Sequence, residues 1–112
     1  MAAVEEAEEA VRGPLETCPG CRITFAVPAA VACAQAGDLD RAVEYERATA
    51  YLADTVMRLP AWDAAHEEVC GHVARAAGDA ERARARFAAA AARFATAGQP
   101  LDRDRCERLA AG

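Results

Sequence analysis

A seven-residue phrase occurs twice in this chain. Ala36-Gly37-Asp38-Leu39-Asp40-Arg41-Ala42 returns 41 positions later as Ala77-Gly78-Asp79-Ala80-Glu81-Arg82-Ala83. Each copy joins a helix stop to a helix start. The glycine can take the left-handed conformation that ends one helix, and the aspartate carboxylate can accept from the first free N–H groups of the next. A stop and a start one residue apart leave no room for a long loop, so each copy specifies a helical hairpin. An internal period of this size decides the architecture before any other feature is read.

The residues between the two phrases keep a helical period. After Asp79, the residues Ala80, Ala83, Phe87, Ala90, Phe94 and Ala97 fall at steps of three and four on one face, with Arg82, Arg86 and Arg93 elsewhere on the helix. After Asp38, the stripe is Tyr45, Ala48, Leu52, Val56 and Leu59, and Pro60 closes it because the residue before a proline avoids the helical region. The pattern predicts helices at about 2–12, 25–36, 39–58, 61–77, 79–97 and 101–110, with breaks at Gly13-Pro14 and Gly98-Gln99-Pro100. No window alternates as a strand would. Of the 60 apolar residues, 32 are alanine and only 18 are Leu, Ile, Val or Phe, so the helices must approach closely to fill a core. The expected fold is all-α, a single domain over 1–112. It comprises an N-terminal helix with a Cys-Pro-Gly-Cys turn (1–23), one hairpin at 24–58, a second at 61–98 and a capping helix at 100–112. Trp62 is expected to plug the junction between the hairpins.

The stretch from about 24 to 97 resembles tetratricopeptide repeats. Gly37-Asp38-Leu39-Asp40-Arg41-Ala42 and Gly78-Asp79-Ala80-Glu81-Arg82-Ala83 are similar to that family's hairpin, with Ala42 and Ala83 at the small position four residues after the aspartate. Phe87 and Ala90 match the large and small positions of the second helix, and Cys70-Gly71 the Leu-Gly pair of the first. Glu46 and Thr49 depart from the pattern, which prefers an aromatic and an alanine there, and the unit is 41 residues rather than 34. The resemblance implies a right-handed stack of about six antiparallel helices, in a degenerate and elongated version. Most of the chain, including Cys18-Pro19-Gly20-Cys21 and the closing stretch at 97–109, is also similar to the C-terminal repeat region of large bacterial regulators of the LuxR class.

Composition removes several functions. The chain has no serine, asparagine or lysine, and all 13 basic residues are arginine, a skew that suggests a GC-rich bacterial genome. A serine nucleophile, a Schiff-base lysine and a phosphate-binding P-loop are thereby excluded. Residues 1–60 carry 5 arginines against 10 acids and residues 61–112 carry 8 against 8, so no basic face is available for a phosphate backbone. The longest apolar run, 25–34, is too short for a bilayer and contains Pro28, and the N-terminus is acidic, so neither a membrane span nor a signal peptide is expected. Five cysteines without a secretory signal point to a reducing cytoplasm with thiols free or metal-bound. The Glu-Glu-Ala-Glu-Glu-Ala run at 5–10 reads as a solubilising acidic face.

Cys18 and Cys21 could chelate a metal from one side, and zinc is the metal such a pair suits, but they supply two ligands of four. His66 and Cys70 stand four apart on one helix face and could supply the others; His72 points elsewhere. A redox role for Cys18 and Cys21 lacks the strand-to-helix setting that lowers a thiol pKa. The alternative to either role is that these thiols are small hydrophobes. His66-Glu67-Glu68-Val69-Cys70 is similar to a metalloprotease helix, with Cys70 where the second histidine would stand. Its simpler reading is a repeat helix facing its neighbour. Cys33 and Cys106 lack partners at ligand spacing and are expected to pack.

The repeat resemblance implies a groove lined by the first helix of each hairpin. Its positions here include Val31 and Gln35, then Glu68, His72 and Arg75, the last three aligned at steps of four and three. Such a polar row suits a peptide or an acidic group, and suits a solvated face equally well. The function expected is protein interaction, as a module of a bacterial transcriptional regulator or adaptor, with no cofactor and no catalytic constellation. The alternative is a small zinc-binding or thiol-redox protein working through Cys18 and Cys21. A protein or peptide partner is expected, with Val4, Val11, Val27 and Val31 on a face open to a second copy or to further repeats of a longer chain.

Overall fold

The computed structural model describes residues 2–11, 19–56 and 59–112, and among these every secondary-structure element is helical. The helices are α1 (Ala2–Val11), α2 (Pro19–Gln35), α3 (Leu39–Tyr51), α4 (Pro60–Ala76), α5 (Ala80–Thr96) and α6 (Pro100–Ala111), and α3 runs on into a π-helical segment at Leu52–Val56. Each described helix packs on its sequence neighbour, and α2 also packs against α4. Three-residue connections, at 36–38, 77–79 and 97–99, leave the helices they join no course but to fold back on each other.

Three of these connections are built alike. Gly37, Gly78 and Gly98 hold φ at +82°, +85° and +75°. At the first, the Gly37 N–H donates to the Ala34 carbonyl (3.1 Å) and the Asp38 N–H to the Cys33 carbonyl (2.9 Å). Gly78 with Asp79, and Gly98 with Gln99, repeat the pair on Arg75 and Ala74 and on Ala95 and Phe94. These bonds satisfy the last carbonyls of the outgoing helix. The starts follow a second rule. Asp38 and Asp79 accept from the backbone N–H of Arg41 (3.3 Å) and Arg82 (3.1 Å), capping α3 and α5. By contrast α2, α4 and α6 begin on Pro19, Pro60 and Pro100, whose fixed φ suits the first helical turn and whose missing N–H has no partner to lose there.

Two helix boundaries differ from the sequence reading. α2 starts at Pro19, not near 25, so Pro19, Gly20 and Cys21 form its first turn instead of a free-standing tight turn. The extra turns bring Ile23 (0% exposed) and Ala26 into the core. The helix expected over 39–58 leaves α geometry after Tyr51, and the π-helical segment places both Leu52 and Ala53 against Ile23. The wider turn shifts the helical register by an extra residue there and brings Leu52 and Ala53 onto the inward side together.

The core is thin-walled, as its alanine content requires. One cluster joins Ala29, Ala30, Cys33, Ala42 and Tyr45 to Val69 and Val73, with Val4, Val27 and Val31 half-buried against it. A second joins Ala64, Ala65, Ala90, Ala91 and Phe94 to Cys106. Trp62 touches this second cluster and the Ile23, Leu52 and Ala53 group, lying between the first hairpin's end and the second hairpin's start. Thr49 is fully buried where an alanine would be the simple choice. Its hydroxyl donates back to the Tyr45 carbonyl (2.8 Å), which satisfies the one polar group that burial would otherwise penalise. α1 is tied down by charge as well as by Val4: Arg41 reaches Glu5 (3.3 Å) and Glu8 (3.9 Å), so part of the acidic run faces α3.

Candidate functional site

The helices that begin on proline line a common groove. From α2 it takes Val27, Val31 and Gln35; from α4, Glu68, Val69 and His72; from α6, Arg105 and Leu109; its volume is about 440 Å³. Side chains from alternate helices meet here, with α2 packed directly against α4 and α6 held against α5. Of the five residues expected from the sequence, Val31, Gln35, Glu68 and His72 are brought together here. Arg75 is not: its guanidinium lies 4.9 Å from the centre of the Phe87 ring and donates to the Leu109 carbonyl (3.0 Å) near the end of α6. A long side chain starting on the expected face is drawn away by an aromatic surface and a terminal carbonyl.

The polar half of the groove is organised around Glu68. Its carboxylate accepts from Arg105 Nε (2.8 Å) and Nη2 (2.7 Å), a two-pronged ion pair, while Arg105 Nη1 donates to Asp102 (2.7 Å). His72 Nε2 stands 3.8 Å from Glu68 Oε2, beyond hydrogen-bond reach, and its ring meets Phe87 edge-on at 4.9 Å. Burial on its own would raise the Glu68 carboxyl. The neighbouring His72 and the Arg105 fork outweigh it and hold the group at about 2, and the Glu68 charge in turn raises Arg105. Cys106 is fully buried and in no disulfide, its thiol pushed up to about 12, first by burial and then by the neighbouring Glu68 carboxylate. Arg105 is the residue that sequence spacing did not single out. It is one of three arginines in a short charged helix, and only the packing of α6 on α5 aims it at α4.

A second cluster lies where α3 crosses α4. His66 and Cys70 share a face of α4, with Cys70 Sγ 3.3 Å from His66 Nε2, and the Cys70 thiol donates to Glu46 Oε1 on α3 (3.3 Å). The donor atoms of the three residues all lie within 4.8 Å of one another. Beside them Glu67 pairs with Arg86 (3.0 Å). The Cys70 thiol is pushed up to about 12, first by burial and then by the Glu46 carboxylate. Of the four metal-binding residues expected from the sequence, His66 and Cys70 are therefore adjacent, while Cys18 and the side chain of Cys21 lie outside the described residues. Glu46 was missed, because its place beside Cys70 depends on the register of α3 against α4.

Compared with protein-family models, with curated proteins and with solved structures, the chain has no significant match.

Proposed function

We propose that this chain is a protein-interaction module of a regulator or adaptor, and that it holds an extended segment of its partner in the groove between α2, α4 and α6. The observation that supports this reading is the convergence of alternate helices on one groove with an apolar wall and a pre-paired polar wall. Val27, Val31 and Leu109, each half-buried, offer apolar contact. Because Glu68 and Arg105 neutralise each other, an uncharged or weakly charged segment can enter without leaving a buried charge unpaired. The exposed Gln35 amide can donate to and accept from a peptide backbone at the rim. The repeated Gly-Asp turns, the small Ala42 and Ala83, and the Gly71 and Phe87 contact are the features by which the chain resembles tetratricopeptide repeats. Together with the similarity to the C-terminal region of LuxR-class regulators, they support placing it in a bacterial transcriptional regulator.

Selection of random peptides against the purified chain tests this. Enriched sequences should bind the parent and lose binding at least about tenfold when Val31 is replaced by Arg, which fills the groove. Equal binding to that variant, with its helical spectrum intact, would move the interaction away from the groove.

A further inference from the structure

We propose that Glu46, His66 and Cys70 form a zinc-type divalent metal site on the opposite side of α4 from the groove. The three bring an oxygen, a nitrogen and a sulfur donor to one point from two packed helices. With zinc bonds of about 2.0 to 2.3 Å, tetrahedral geometry places ligand atoms roughly 3.3 to 3.6 Å apart. Cys70 Sγ stands 3.3 Å from both His66 Nε2 and Glu46 Oε1, and all three donor atoms fall within 4.8 Å, so small rotamer adjustments close the set.

The chemistry of the set selects the metal. Thiolate, imidazole and carboxylate together suit zinc and cobalt(II). Calcium and magnesium require oxygen donors throughout, and copper(I) prefers sulfur. Charge also favours occupancy. A divalent cation with one thiolate and one carboxylate is neutral, which suits a site whose sulfur is buried while Glu46 and His66 are half-exposed and give the ion a way in. With no cation present, burial first and then the Glu46 carboxylate make the Cys70 thiol resist ionisation. A cation there reverses that effect, because the metal takes the proton's place on sulfur and the proton leaves to solvent. Three protein donors leave the fourth tetrahedral position to water. The site is independent of the peptide groove: His66 and Cys70 are each about 200° around α4 from Glu68 and His72 respectively.

Titration of the 112-residue chain with cobalt(II) chloride, followed by displacement with zinc(II) chloride, reads the site directly. A thiolate-to-cobalt band should appear, saturate at one metal per chain and disappear on adding zinc, with about one proton or more released per zinc bound at pH 7. The double variant Cys18→Ala/Cys21→Ala should retain the band and the stoichiometry. Glu46→Gln and His66→Gln should each weaken binding more than about tenfold, since even changes behind the ligands cost about 10- to 100-fold. Cys70→Ser should remove the band. Should Cys70→Ser lose its helical spectrum, the two glutamine variants, at half-exposed positions, decide alone. The proposal is overturned if the band is absent, if it needs Cys18 and Cys21, or if both glutamine variants bind as the parent does.

Discussion

Gly71 on α4 lies flat against the ring of Phe87 on α5: a Cβ built at residue 71 would come within 2.6 Å of Phe87 Cε1 and 2.7 Å of Cδ1. The ring is fully buried, with His72 at its edge and Arg75 over one face, so it has little room to withdraw. Gly71→Ala should therefore destabilise the chain by about 1 to 3 kcal/mol, the usual cost of overpacking a filled core. Phe87→Leu in the same background should recover part of the loss. Urea unfolding of the four members of that double-mutant cycle measures the coupling, and additive effects would show that the two residues do not oppose each other.

The Glu68 carboxyl makes stability depend on acid. Its pKa in the folded chain is about 2, below the ordinary value of 4.5. Its contribution is fully present above the unfolded value and is lost as pH falls through the interval from about 4.5 to about 2. Melting temperatures measured across that range should fall more steeply for the parent than for Glu68→Gln, and Arg105→Gln should also flatten the curve. Identical slopes for all three would place the acid-sensitive contact elsewhere.

Local chemistry and cross-helix geometry were unequally legible. The turns at Gly37 and Gly78 could be read because stop and cap are adjacent in the chain, and the Ala83, Phe87, Ala90 and Phe94 stripe because helical period acts within one element. All four of those stripe residues are buried. The start of α2 could not be read, since a proline followed by a glycine suits a turn as well as a first helical turn. The π-helical segment left no mark in composition. Glu46 beside Cys70 and Arg105 on Glu68 each depend on how one helix is rotated against another, which no single helix encodes. The Arg75 position was legible and its direction was not, because a flexible side chain follows its partners.

The buried thiols should be chemically quiet. Cys33, Cys70 and Cys106 are free and buried, and burial raises all three above the ordinary thiol value. Only the thiolate is a nucleophile, so alkylation with iodoacetamide at pH 8 should label these three far more slowly in the native chain than in denaturant. Site-resolved mass spectrometry checks this. Rapid native labelling of Cys33 or Cys106 would contradict the packing described for them.

Replacing Gly37 or Gly78 by alanine should destabilise the chain by roughly 1 to 2 kcal/mol at each site, because an L-residue in the left-handed region brings its Cβ against the following carbonyl. Chemical denaturation of the two single variants measures this. Unchanged stability in both would mean that the turns can relax to another conformation.

At both of those glycines an added Cβ would meet no neighbouring atom within 4 Å, so the turns reject alanine on account of its chirality and not its size. The mirror-image amino acid has the opposite preference. A D-alanine introduced by chemical synthesis at Gly37 or Gly78 would favour positive φ in the unfolded chain as well as in the folded one. It would surrender fewer conformations on folding than glycine does, an effect of about 0.4 to 1 kcal/mol in the analogous case of restricting an unfolded chain. The same three-residue turn that disfavours L side chains by handedness is thus a point at which enantiomeric chemistry should strengthen an otherwise natural protein.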